Sequence, residues 1–178
     1  MTGASLRSVV LVGPRAAGKT TLARLLAERL GYAFADTDEL LAASVGCPAG
    51  EFLVSQGEPA FRAAEEPVVT EALGSNLGRV LALGGGAVLA EKVRNVLAQS
   101  THFVVFLSAP VSILVDRQAS GSFRPPLSNQ SLAEEVQTLL RDRQPLYRAV
   151  SDLELDTNSL DVHGCQAAIL VSMGLGGS

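Results

Sequence analysis

Short apolar runs alternate with amphipathic stretches along this chain, and the alternation predicts its secondary structure. Strands are predicted where β-branched, aromatic and other apolar residues cluster, over 8–12, 32–35, 79–83 and 102–107, with a weaker fifth over 153–156. Helices are predicted where apolar residues recur at helical spacing. The first follows the first strand and ends at Gly31, and the next helical stretch covers 39–74, with breaks near 47–48 and Gly57. Further helices are predicted over about 89–98, 110–118 and 131–149, and a last one ends near 173. Strands that alternate with helices are typical of an α/β fold with a parallel sheet and helices on both faces.

The composition fits one globular domain over 1–178 and argues against several classes of function. Apolar residues make up 47% of the 178 positions and charged residues 18%, which provides enough apolar surface for a core. The net charge of −4 is unusual for a nucleic-acid binder. The opening "MTGASLRS" holds no apolar stretch, and no run approaches the roughly 18 apolar residues of a membrane span. We therefore expect a cytoplasmic protein with no nucleic-acid or membrane partner and a flexible tail at about 174–178.

The segment "GPRAAGKT", directly after the first predicted strand, carries the strongest chemical signal. It fits the P-loop pattern, in which backbone N–H groups and a helix N-terminus bind phosphate oxygens. Lys19, one of only two lysines in the chain, would add a positive charge near the phosphates, and the Thr20 hydroxyl would ligate Mg²⁺. Ala16 stands where small P-loop kinases often carry glycine, so we expect its backbone to avoid positive φ. The predicted nucleotide-binding residues of the loop are Gly13, Ala16, Ala17, Gly18, Lys19, Thr20 and Thr21.

Two carboxylates, Asp36 and Asp38, follow the second predicted strand in the segment "DTD". The second motif of a P-loop kinase is usually an apolar strand that ends in Asp, which helps to hold Mg²⁺. The third predicted strand ends instead in three glycines at 84–86. Asp36, which ends the strand after the first helix, is therefore the best candidate to join Thr20 at the metal. Asp38 is then free to face the phosphate acceptor.

Six short pieces in the right order make the chain resemble shikimate kinase, a family of small P-loop kinases of aromatic amino acid biosynthesis. The pieces are "GPRAAGKT", "DTD", "FRAAE" (61–65), "GGG" (84–86), "RPPL" (124–127) and "RQPLY" (143–147), and the resemblance runs from about 9 to 162. It implies a P-loop kinase fold with a mobile lid at about 119–130, and a monomer. It also implies phosphorylation of the 3-hydroxyl of shikimate, with ATP and Mg²⁺.

The resemblance also implies roles for residues on the acceptor side. Asp36 would belong to the magnesium shell, and Asp38 would hold the shikimate hydroxyls and accept the proton. Arg62 and Arg143 would bind the shikimate carboxylate as a pair, since a guanidinium and a carboxylate can share two hydrogen bonds. The backbone would approach the substrate ring at a turn made of Gly84, Gly85 and Gly86.

Two further arginines are expected on the nucleotide side. Arg124, in the lid, resembles an arginine that reaches the phosphates on closure, and it would act in catalysis with Lys19 and Asp38. Arg117 resembles an arginine that lies against adenine. Each of these residues also has an ordinary interpretation: Arg62, for example, would pair with Glu65 three positions on along a helix surface. It is the joint order of the pieces that favours a site.

Two alternatives from different classes stay open at this stage. Another small-metabolite kinase, such as a gluconate or nucleoside monophosphate kinase, would share the P-loop and a lid, but would not account for "DTD", "FRAAE" and "GGG" together. A non-catalytic sensor with a shikimate kinase-like domain would bind an aromatic acyl-coenzyme A, and it should carry a helix-turn-helix segment. Neither the start of the chain before 8 nor its end after 174 fits such a segment.

Overall fold

Five short strands form one parallel sheet in the computed structural model, which describes residues 7–74, 78–99, 102–120 and 131–176. The strands are β1 (Val9–Val12), β2 (Ala33–Asp36), β3 (Arg79–Ala82), β4 (Phe103–Ser108) and β5 (Leu153–Asp156). Their order across the sheet is β2-β3-β1-β4-β5, and every neighbouring pair is parallel. The predicted strands are confirmed, and their bounds move by at most one residue.

The described residues also form seven helices that connect and cover the strands. They are α1 (Lys19–Leu30), α2 (Thr37–Val45), α3 (Ala49–Gly74), α4 (Glu91–Gln99), α5 (Val111–Ala119), α6 (Leu132–Val150) and α7 (Val162–Ser172), with a 3₁₀ turn at Ala87–Leu89. Both predicted breaks are present, since α2 and α3 are separate and Gly57 has non-helical dihedral angles inside α3. Within the described ranges, none of the helices is both long and apolar enough to cross a bilayer.

The helices lie on both faces of the sheet, and β1 is buried between them. Val9 and Leu11 belong to a core cluster with side chains of α1, α5 and α7. Val10 and Val12 belong to a second cluster with side chains of α3, α4 and the end of α6. These four residues of β1 are each at most 1% exposed. Because β1 is held from both faces, the segment after it leaves from the most rigid part of the sheet.

All five strands are parallel, so their carboxyl ends meet at one edge of the sheet, where ligands of such folds bind. The loop after β1 carries the P-loop pattern, the segment after β2 carries Asp36 and Asp38, and β3 leads into the three glycines at 84–86. We call this last segment the glycine turn. Because β3 lies between β2 and β1, the glycine turn lies between the two carboxylates and the phosphate loop.

Two predicted segments, the lid at about 119–130 and the tail, lie partly outside the described residues. Ala119, the first residue of the predicted lid, is the last residue of α5, and 121–130 lie outside the described residues. The predicted tail at about 174–178 stays a prediction. The backbone N–H groups of Gly174 and Leu175 donate to carbonyls in the last turn of α7, at 2.9 and 2.8 Å, and so close that helix.

Candidate active site

The phosphate loop wraps around its own lysine. The Lys19 ammonium donates hydrogen bonds to the carbonyl oxygens of Gly13 and Pro14, at 2.9 and 2.7 Å. Gly18 caps the N-terminus of α1 with a left-handed φ of 90°, so the helix begins directly after the loop. Gly13 also has a positive φ, and an added Cβ there would collide with the Leu107 carbonyl of β4. Both glycines therefore have a backbone reason to be glycine. The loop ends at the N-terminus of α1, the kind of position where phosphate groups bind.

Ala16 departs from the prediction made for it. Its φ is 63°, so the alanine lies in the left-handed region that was expected to be avoided. This conformation costs a residue with a Cβ roughly 1 kcal/mol. The course of the loop therefore requires a left-handed residue at this point, whichever side chain is present. The Arg117 guanidinium donates to the Ala16 carbonyl at 3.4 Å, and this contact helps to hold the strained peptide.

The hydroxyl and carboxylate predicted to hold a metal are in direct contact. The Thr20 Oγ1 hydroxyl donates to Asp36 Oδ2 at 2.7 Å. The other oxygen of the same carboxylate, Oδ1, accepts the backbone N–H of Asp38 at 2.9 Å and caps α2. Two adjacent protein oxygens suit Mg²⁺, which usually binds one or two carboxylates and completes its octahedron with water and phosphate. The described residues hold no cluster of three or more acidic, histidine or cysteine side chains suited to a metal.

Thr37, between the two carboxylates, has a role that sequence reasoning missed. Its side chain is buried, with 1% of the residue exposed. Its Oγ1 accepts the backbone N–H of Gly84 at 2.8 Å. The three residues of "DTD" therefore face three ways: Asp36 faces Thr20, Thr37 fixes the glycine turn, and Asp38 faces the pocket described next.

Two carboxylates, Asp38 and Glu65, flank the first glycine of the turn. A Cβ added to Gly84 would lie 2.8 Å from Asp38 Oδ1 and 2.9 Å from Glu65 Oε1. Glu65 is only 4% exposed, and burial raises the pKa of its carboxyl above the ordinary value. The Arg62 guanidinium lowers that pKa in turn, through its charge and a hydrogen bond of 2.5 Å from Nη1 to Glu65 Oε2. The predicted pair of Arg62 and Glu65 is thus confirmed as a contact.

Arg62 lies against the last glycine of the turn, and Arg143 faces the same pocket from α6. A Cβ added to Gly86 would run into the Arg62 guanidinium. Arg143 lies on α6 one turn before Tyr147, whose hydroxyl reaches the Gly85 carbonyl. Against the larger, opposite effect of burial, the Arg143 charge lowers the pKa of the Tyr147 hydroxyl and, with a smaller effect, that of the Glu65 carboxyl. Asp38, both arginines and the glycine turn, which come from four separate segments, are therefore brought together in one pocket.

A cavity of about 460 Å³ opens beside this pocket, between α3, the 3₁₀ turn after the glycines and the start of α4. It is lined by Arg62 and Glu65 together with Glu58, Pro59 and mostly apolar residues of these three elements. Arg62 also reaches Glu58 there, at 3.3 Å between Nη2 and Oε1. Neither Asp38 nor the phosphate loop lines the cavity. It therefore borders the pocket through Arg62 and Glu65 without reaching the phosphate loop.

Three further predicted nucleotide-binding residues are described by the structure, and each lies in a different environment. Ala17 is fully buried under the loop, and Thr21 is exposed on the first turn of α1. Arg117, at the end of α5, donates to the hydroxyl and the carbonyl of Thr157 at 2.9 and 2.8 Å, besides its contact with the loop. It thus links the phosphate loop to the segment after β5. Arg124 lies outside the described residues, and its role stays a prediction.

A parallel sheet in this order, with a phosphate loop after β1 and a hydroxyl and carboxylate pair beside it, defines the chain as a small P-loop kinase. A family model described as shikimate kinase matches residues 15–171. The chain therefore belongs to the shikimate kinase family.

Individual comparisons agree with this assignment. The shikimate kinase of Saccharopolyspora erythraea is 45% identical over 152 residues, which cover 85% of this chain and 85% of the relative. The solved structure of shikimate kinase from Acinetobacter baumannii in complex with shikimate matches with a TM-score of 0.87 at 35% identity, over 95% and 93% of the two chains. A gluconokinase from Sinorhizobium meliloti matches with a TM-score of 0.61 at 20% identity, over 95% and 92% of the two chains. That last likeness shows a shared fold alone.

Proposed function

We propose that this protein transfers the γ-phosphoryl group of ATP to the 3-hydroxyl of shikimate in a reaction that requires Mg²⁺. The observation that carries the proposal is the convergence of Asp38, Arg62 and Arg143 on the glycine turn, directly beside the phosphate loop, in a chain of the shikimate kinase family. The Acinetobacter baumannii relative, whose structure contains shikimate, supports the same substrate.

The acceptor pocket has the charges that a small polyhydroxylated acid needs. Two guanidinium groups, Arg62 and Arg143, would bind the carboxylate of the substrate, because charge-assisted and bidentate pairs are the strongest hydrogen bonds available. The Asp38 carboxylate would accept hydrogen bonds from the substrate hydroxyls. It would also take the proton of the attacking hydroxyl, for which hydrogen-bond reach matters more than basicity because the transition state is loose.

The donor side fits a nucleoside triphosphate with its metal. ATP supplies the transferred phosphoryl group, and the N–H groups of the loop would bind the phosphates ahead of α1. Lys19 would exchange its two carbonyl partners for phosphate oxygens. Thr20 and Asp36, already in contact at 2.7 Å, would hold Mg²⁺. Arg117 would lie against adenine, and Arg124 would reach the phosphates from the lid.

We further propose that the enzyme works as a cytoplasmic monomer. Membership of the shikimate kinase family supports this, and sedimentation of the purified protein would test the oligomeric state. A dimer at micromolar concentration would contradict it.

The test of the proposed function follows ADP release from ATP and Mg²⁺, with and without shikimate. We expect release that depends on shikimate, and we expect Asp38→Asn to reduce kcat at least 100-fold, because the acceptor loses its carboxylate. Asp116→Asn, on the exposed side of α5, makes the same chemical change away from the site and serves as the control. Removal of Mg²⁺ with a chelator should abolish turnover in all three proteins.

Two other outcomes would redirect the assignment. Turnover with gluconate or a nucleoside monophosphate in place of shikimate would identify a different small-metabolite kinase. Binding of an aromatic acyl-coenzyme A without turnover of any acceptor would identify a sensor. Either result would refute the proposed substrate.

A further inference from the structure

We propose that the buried hydroxyl of Tyr147 is a positioning group of the acceptor site, which holds the Gly85 carbonyl and the Arg143 guanidinium in one fixed arrangement. The inference rests on the proposed function, because it concerns how the acceptor is held. Tyr147 is not among the residues predicted to touch a ligand. It would act through the backbone of the glycine turn and through Arg143.

The hydroxyl contacts the middle of the glycine turn. Tyr147 Oη donates to the Gly85 carbonyl oxygen at 2.5 Å. The N–H of the preceding glycine is bound by Thr37 Oγ1 at 2.8 Å. A Cβ added to Gly85 would lie 3.5 Å from both the Arg15 nitrogen and the Gly13 oxygen of the phosphate loop. Two buried hydroxyls thus clamp the turn, and the clamped turn rests directly on the phosphate loop.

The same side chain is tied to a predicted substrate-binding arginine. Arg143 lies four residues before Tyr147 on α6, so the two side chains share one face of the helix. Against the larger, opposite effect of burial, the Arg143 guanidinium lowers the pKa of the Tyr147 hydroxyl through its charge and a side-chain hydrogen bond. A hydroxyl can donate one hydrogen bond and still accept from a neighbour. Donation to Gly85 and acceptance from Arg143 are therefore compatible in one group.

The surroundings hold this hydroxyl in a single position. Tyr147 is 1% exposed, and its ring stacks on Phe106 of β4 with centroids 5.1 Å apart. Burial raises the pKa of Tyr147 to about 12, so the phenol keeps its proton and remains a donor at neutral pH. Because the ring is packed against the sheet, its hydroxyl is held in one position, as a positioning group requires.

Removal of the hydroxyl alone tests the inference. Tyr147→Phe keeps the ring and its stacking but removes the hydroxyl that donates to the Gly85 carbonyl and that Arg143 contacts. Tyr32→Phe removes the hydroxyl of the other tyrosine of the chain, at the amino end of β2 and so at the opposite edge of the sheet, and serves as the matched control. For Tyr147→Phe we expect KM for shikimate to rise about 3- to 10-fold with kcat within about twofold of wild type. The control should change neither.

A second measurement tests the clamp without any substrate. The N–H groups of Gly84, Ala87 and Leu89 are hydrogen-bonded to Thr37 or to carbonyls of the glycine turn, at 2.8, 3.0 and 2.9 Å. We expect their hydrogen exchange to become about 3- to 10-fold faster in Tyr147→Phe, with the β1 amides unchanged. A lower melting temperature with unchanged KM, or with unchanged exchange at the turn, would mean a merely structural tyrosine and would overturn the inference. If the wild type turned over no shikimate, the proposed function would fail, and the exchange rates alone would then support or overturn the clamp.

Discussion

Substitution of neighbouring glycines offers a sharp test of the acceptor site, because Gly85 and Gly86 face different neighbours. A methyl group on Gly86 would occupy the space of the Arg62 guanidinium, whereas a methyl group on Gly85 would meet the phosphate loop at an ordinary contact distance of 3.5 Å. Gly86 has a φ of −100°, and Gly85 has no positive φ either, so the backbone tolerates alanine at both. Any difference between the two variants therefore comes from the displaced arginine.

The size of the effect follows from this displacement. In Gly86→Ala the guanidinium must withdraw by about 1 Å or more to restore normal van der Waals separation. Since a charge-assisted hydrogen bond needs about 2.7–2.9 Å, such a shift breaks the contact that Arg62 would make with a substrate carboxylate. Hydrogen bonds to charged groups contribute about 1.5–3 kcal/mol, so KM for shikimate should rise about 10- to 100-fold. The folded protein should lose only about 1 kcal/mol, because the end of a flexible side chain gives way.

Steady-state kinetics with varied shikimate at saturating ATP would measure the difference, and thermal unfolding would check that both variants fold. We expect KM for shikimate in Gly85→Ala to stay within about threefold of wild type. KM for ATP in Gly86→Ala should be nearly unchanged, because Arg62 faces the acceptor. Equal values of KM for shikimate in the two variants would refute the assignment of Arg62 to the substrate carboxylate.

Three further predictions concern other parts of the chain. Thr37→Val removes the acceptor of the Gly84 N–H and should raise KM for shikimate at least threefold, whereas Thr37→Ser should keep it near wild type in the same assay. Ala16→Gly relieves a left-handed alanine with φ of 63° and should raise the free energy of unfolding by up to about 1 kcal/mol in urea titrations; a loss of stability would contradict the strain. Burial, with a smaller effect of the Arg7 charge, lowers the pKa of His102 in the folded protein. The unfolded chain therefore binds a proton more readily, and the free energy of unfolding should fall as the pH decreases below about 6.5. His102→Gln should flatten that dependence of the melting temperature on pH, and an equal slope in both proteins would exclude His102 as its source.

Local sequence patterns were sufficient for the sheet and for the phosphate loop. A parallel strand buried on both faces needs a continuous apolar run, and "VVLV" in β1 is such a run. A phosphate loop needs its glycines at positions set by the backbone, and Gly13 and Gly18 both have positive φ. These demands involve neighbours along the chain, so they are visible in one short segment.

The clamp on the glycine turn could not be predicted in the same way. Thr37 and Gly84 are 47 residues apart, and Tyr147 and Gly85 are 62 apart. A threonine after a strand and a tyrosine in a helix are ordinary residues, and only the fold brings their hydroxyls to one turn. The prediction for Ala16 was wrong for a related reason. It assumed that the loop backbone adapts to the alanine side chain, whereas β1 and α1, which flank the loop, set the course of its backbone.

The structure offers a different reason for three consecutive glycines at 84–86. Three glycines beside a substrate pocket suggest that a ligand packs against the backbone. In this fold the space beside two of them is already taken by the protein, by Asp38 and Glu65 at Gly84 and by Arg62 at Gly86. The missing side chains therefore bring the carboxylate and the arginine close enough to act on one small acceptor. Since the same turn rests on the phosphate loop, the backbone also sets the distance between acceptor and phosphate, while the kinetics of the Gly86 variant test the position of Arg62.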